Sequence, residues 1–138
     1  MKTVLSILFL LSILFTSTMN GQVSVIVHKS VPVQSLTAAA VYDIYSLTKR
    51  YWNENLAIVV FNQKTAHINK QFHNFIGKTP LELKKIWLRI QLSGQGKAPE
   101  SLESDEEVLA KVATTPGAIG FISSDKVKGD VKVVATIE

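Results

Sequence analysis

Asn62-Gln63-Lys64-Thr65-Ala66-His67 lies between a β-branched run and the start of a helical pattern. It brings together an ammonium, a hydroxyl, an imidazole and side-chain amides. Where a strand feeds a helix, the first backbone N–H groups are unpaired and point outward, so a small anion can accept from them. Lys64 would add a charge-assisted bond, with Asn62, Thr65 and His67 as the other candidate ligands. The same residues also suit a solvated turn that caps the helix, and their spacing alone does not separate the two readings. His28-Lys29-Ser30 and Ser123-Ser124 are two further strand-end segments of this kind.

Other chemistries find less support. His67 and His73 are too far apart along a helix to share a face in the i, i+4 manner, and no carboxylate stands among the histidines, so no metal is expected. Asp105-Glu106-Glu107 fills a helix first turn, where the helix dipole favours acidic residues. Ser93-Gly94-Gln95-Gly96-Lys97 lacks the spacing of a phosphate-cradling loop and follows a helix, where glycine ends the last turn. Trp52 and Trp87 read as core or boundary residues. There is no cysteine, no G-x-S-x-G and no H-E-x-x-H. No cofactor and no catalytic activity are expected.

The elements that must position these residues alternate between strand and helix. Val23 to Val27 and Ala57 to Phe61 are nearly continuous apolar runs, as in strands covered on both faces. Between them, Ser35 or Thr37 caps a helix through about Leu47, with Val41, Ile44 and Tyr45 on one stripe. A second helix carries Ile68, Phe72, Phe75 and Ile76 to a stop near Gly77. Thr79-Pro80-Leu81-Glu82 and Ser104-Asp105-Glu106-Glu107 are capping-box signatures that open two more helices. Ala118 to Ile122 and Val131 to Ala135 are the third and fourth strands. The pattern predicts a three-layer α/β/α domain around a mixed, mostly parallel sheet of about four strands.

Length and charge agree with one domain. The chain has 138 residues, a net charge of +4 and a hydrophobic fraction of 46%, too apolar for disorder. No Lys/Arg cluster with interleaved aromatics points to nucleic acid. Met1-Lys2 followed by the apolar run Val4 to Phe15 has the form of an export leader, too short to span a bilayer. Residues 1–21 are therefore read as a cleaved signal peptide, residues 22–138 as one domain, and the periplasm as its location.

The order of these pieces is similar to a known family. Ser35-Leu36-Thr37, Ile44-Tyr45, Trp52, Ile58-Val59-Val60, Phe72 with Phe75-Ile76-Gly77, Trp87, Ser93-Gly94 and above all Thr115-Pro116-Gly117-Ala118-Ile119-Gly120-Phe121 resemble the phosphate-binding proteins of ABC uptake systems. The resemblance is closest to short, single-lobe members, and it implies one lobe of a type II periplasmic binding protein. Full-length members clamp phosphate between two lobes. It also implies that the family's arginine and its Ser-Gly-Thr donors fall at Asn62 and Ala66-His67-Ile68, where the guanidinium and both hydroxyls are missing.

The expected function is that of a non-enzymatic module binding phosphate or a similar small anion weakly, in phosphate uptake or sensing. The alternative is a periplasmic accessory that docks a membrane transporter, porin or sensor protein. In either case a homodimer could rebuild the two-lobed cleft.

Overall fold

The computed structural model describes residues 21–138. Apart from Gly21, the expected leader lies outside the described residues. The first strand, β1 (Val23–His28), is buried along its whole length. Its alternation sends Val23, Val25 and Val27 into one apolar cluster and Ile26 into another. A strand with two covered faces forces a layered fold, with helices on both sides.

The chain continues through α1 (Ala38–Tyr45), a hairpin of β2 (Tyr51–Asn53) and β3 (Leu56–Ala57), β4 (Val59–Gln63), α2 (Ala66–Ile76) and α3 (Pro80–Leu92). It closes with β5 (Glu100–Leu102), α4 (Asp105–Thr114), β6 (Ala118–Ser123), a 3₁₀ turn at Ser124–Lys126, and β7 (Val131–Ile137). Five strands form the main sheet in the order β5-β4-β6-β1-β7. The sheet is mixed, as expected. β4 runs parallel to β5 and β6, whereas β1 runs antiparallel to β6 and β7.

Helices α1, α2 and α3 cover one face through Ile44, Tyr45, Ile68, Phe72, Leu83 and Trp87; α4 covers the other through Val108 and Val112. The aromatic centre of the larger cluster is specific. Phe72 stacks on Phe121 with ring centroids 3.8 Å apart, and Tyr45 meets Phe72 edge-on at 4.7 Å. Both tryptophans are buried with their indole N–H groups paired: Trp52 donates to the Gly117 carbonyl at 2.8 Å and Trp87 to the Tyr45 carbonyl at 2.7 Å.

Local signals place the helix starts well. Thr37 caps α1 by accepting from the Ala40 N–H, and Thr79 with Glu82 forms a complete capping box on α3. At α4 the box is displaced by one residue: Ser104 accepts from the Glu107 N–H, while the Glu107 carboxylate takes the Glu103 N–H at 2.9 Å. Five strands stand in the sheet instead of about four, because the short β5 pairs with the end of β4. Among the described residues no helix is long and apolar enough to cross a membrane.

Candidate functional site

Asn62 and Gln63, expected in a turn, are the last residues of β4. The neighbouring β5 holds them there: Asn62 pairs with Ser101 and Gln63 with Leu102, and the Lys64 N–H extends the ladder to the Leu102 carbonyl at 2.9 Å. Only Lys64 and Thr65 remain as connection, and α2 opens at Ala66.

Successive residues of a strand point to opposite faces, and this separates the candidates. Asn62 is buried toward α2 and α3; its Nδ2 donates to Ser101 Oγ at 3.1 Å, and its Oδ1 has no protein partner. Gln63 Nε2 donates both to Asp105 Oδ1 and to the Phe121 carbonyl, each at 2.9 Å. Lys64 is exposed and ion-paired to Glu103 at 2.9 Å. Thr65 occupies the N-cap of α2 without capping it; its hydroxyl reaches the Glu103 carbonyl at 3.4 Å. His67 is exposed on the first turn.

Lys64, Thr65 and His67 therefore gather at the mouth of α2, while Asn62 lies below it. Asn62 and Lys64 also line a cavity of about 300 Å³ bounded by Asn69, His73, Lys84, Trp87 and Ser101. His73 is buried, and burial pushes its pKa below the usual histidine value, with Lys84 adding to the effect.

The three strand-end segments do not all converge. Because β1 runs against β4 and β6, His28-Lys29-Ser30 sits at the opposite edge of the sheet, where Ser30 Oγ accepts the Gly117 N–H at 3.1 Å. Ser123 and Ser124 do reach the Gln63 edge. There Ser124 Oγ bonds Ser24 Oγ at 2.7 Å, and the Ser123 N–H donates to Asp105 Oδ1 at 3.3 Å.

Sequence reasoning misses Ser101, Asp105, His73 and Lys84 as neighbours of this edge. Asp105 does carry a signal, but in the sequence it speaks only of helix-dipole complementarity. Its carboxylate also accepts from Gln63 and Ser123, in the crevice where open α/β sheets place their ligands. Among the described residues, no three His, Cys, Asp or Glu side chains converge on a metal-sized site.

The α/β/α layers, with a crevice at the ends of β4 and β6, share their fold with one lobe of solved phosphate-binding proteins. A phosphate ABC transporter substrate-binding protein with bound phosphate from Clostridium perfringens matches with a TM-score of 0.67 and 24% identity, over 81% of this chain and 43% of that one. An ABC-type phosphate transport receptor from Vibrio cholerae matches at 0.62 and 18% identity, over 87% and 51%. PstS from Borrelia burgdorferi matches at 0.58 and 16%, over 82% and 46%. The chain thus spans about half the length of each. No family model and no curated protein matches the sequence.

Proposed function

We propose that the protein is an exported, non-enzymatic binding module for phosphate or a similar small anion, held weakly at the mouth of α2. The observation that carries this reading is the uncapped start of that helix beneath Lys64, on a lobe whose fold is shared with phosphate-binding proteins. An anion there accepts from the first backbone N–H groups of α2 and from the Lys64 ammonium, with the Thr65 hydroxyl and the His67 imidazole beside it.

Weakness follows from what surrounds the mouth. The segment Asn62 to Ile68 holds no arginine, Glu103 already occupies Lys64, and Asp105 accepts from Gln63 and Ser123. Each absent charge-assisted bond forgoes about 1.5–3 kcal/mol, or roughly one to two orders of magnitude in affinity. Calorimetry of the mature protein with phosphate and sulfate tests the proposal. Binding in the millimolar range that weakens in Lys64→Ala supports it, and no heat at tens of millimolar ligand refutes it.

A second reading rests on α3. Leu81, Leu88 and Leu92 are 62%, 54% and 80% exposed, beside Lys84, Lys85 and Arg89. An apolar stripe flanked by cations suits an acidic, partly apolar face of a transporter, porin or sensor protein, or a second copy closing a cleft. Crosslinking from position 88 in envelope extracts would identify such a partner.

A further inference from the structure

We infer that the outer face of α3 is a docking surface for an anionic lipid membrane, its leucines dipping into the apolar edge of the bilayer and its cations lying among acidic headgroups. Neither the α2 mouth nor a protein partner is needed for this contact. The carrying observation is the order of residues around the helix. At about 100° per residue, Leu81, Leu88 and Leu92 fall within roughly 40° of one another, in single file along about 16 Å of the axis. Each is more than half exposed, while Leu83 and Trp87 on the inward side enter the core.

Cations frame this row on both sides. Lys84 borders it on one flank and Lys85 and Arg89 on the other, all three exposed and none in an ion pair among the described residues. The helix has one carboxylate, Glu82, and that is turned back to the Thr79 N–H at 3.0 Å to cap the first turn. No acidic residue of α3 therefore neutralises the strip. A helix lying in a bilayer interface has this layout, an apolar edge with Lys and Arg beside it, held by buried apolar area together with attraction to anionic lipid.

The same layout disfavours other occupants. Two copies packed through α3 would set cations against cations around the leucines, which opposes association. A protein partner would need an apolar groove of that length with carboxylates along both rims, whereas a lipid surface meets the row anywhere on its plane. One row of three leucines offers too little apolar area for permanent insertion. The attachment is therefore peripheral, reversible and sensitive to salt.

The chain has no cysteine, so one introduced thiol reports one position. The domain formed by residues 22–138, carrying a polarity-sensitive dye at Leu88→Cys, is mixed with vesicles of phosphatidylcholine alone or with an equal part of phosphatidylglycerol. Cosedimentation and a blue shift of the dye are expected with the anionic vesicles only, both fading as salt rises. The same dye at Lys111→Cys, on α4 across the sheet, should not shift. Lys85→Gln and Arg89→Gln should each weaken binding about fivefold, and Leu88→Ser with Leu92→Ser more than about tenfold. All four side chains are exposed, so thermal stability should hold. Inorganic phosphate at constant ionic strength should leave vesicle binding unchanged, so this contact and the α2 anion site stand or fall separately. No binding to anionic vesicles, equal binding to neutral ones, an equal shift at position 111, or full binding after loss of both leucines would each overturn the inference. So would crosslinking from position 88 to an envelope protein by a domain that ignores vesicles.

Discussion

Asp105 Oδ1 stands 2.9 Å from Gln63 Nε2, across the gap between the start of α4 and the end of β4. The same oxygen accepts from the Ser123 N–H. A carboxylate belonging to the protein thus occupies donors that face the strand-end crevice. Asp105→Ala should lower stability by about 1–3 kcal/mol, because the Ser123 N–H loses its partner and Gln63 keeps only the Phe121 carbonyl. It should also tighten phosphate binding by removing a competing negative charge. Thermal denaturation and calorimetry on one variant read both effects, and tighter binding without a stability loss would contradict the structural role.

Glu103 holds Lys64 in an exposed ion pair. Exposed pairs contribute little to stability, so Glu103→Gln should change it by less than about 0.5 kcal/mol. Phosphate affinity should nonetheless rise a few-fold, since the ammonium is released. Titrations at low and high salt would show the gain shrinking as screening increases.

Gly117 has φ +79°, and a Cβ there would lie 2.1 Å from the Ala57 carbonyl oxygen. Its own carbonyl accepts from both the Trp52 indole and the Val59 N–H. Gly117→Ala combines backbone strain with a clash against main chain that has little room to move. A loss of about 3 kcal/mol or more is expected, measured by urea unfolding.

Burial lowers the His73 pKa, so near and below pH 6.5 the unfolded chain binds the proton more readily than the folded one. Stability contributed by the neutral ring is full above that pH and declines as the solution is acidified. His73→Gln should flatten the acid limb of the stability profile.

Tyr45 behaves in the opposite sense. Burial raises its pKa well above the usual value, so the folded state retains a proton that the unfolded state gives up above about pH 10, and stability falls there. Its hydroxyl donates to the Phe61 carbonyl at 2.8 Å. Tyr45→Phe should cost about 1–2 kcal/mol at neutral pH and remove the alkaline decline.

Much of the fold is legible because its signals are local. Thr79-Pro80-Leu81-Glu82 places the start of α3 through hydrogen bonds made within four residues. The β-branched run at Val23 to Val27 announces a doubly covered strand. By contrast, Glu100-Ser101-Leu102 has no pattern of its own and becomes β5 only by pairing with Phe61, Asn62 and Gln63. That pairing in turn draws two polar residues out of the expected turn and into the sheet. The hairpin at Tyr51 to Ala57 escapes notice for the same reason, its strands being too short to show alternation.

Strand direction is the larger blind spot for the site. An alternation of strands and helices does not say that β1 opposes β4, and this reversal sends His28-Lys29-Ser30 to the far edge. The candidates at Lys64, Thr65 and His67 are visible because they are contiguous in sequence. Asp105, Ser101, His73 and Lys84 reach the same neighbourhood through tertiary packing alone.

β1 has both of its neighbours in the final segment of the chain, Ala118–Ser123 on one side and Val131–Ile137 on the other. Until those residues emerge, this strand, buried along its whole length, has nothing to zip onto. Sheet closure is therefore a late event that joins sequence-distant ends of the domain. During synthesis β1 therefore waits, unpaired, until nearly a hundred further residues have followed it.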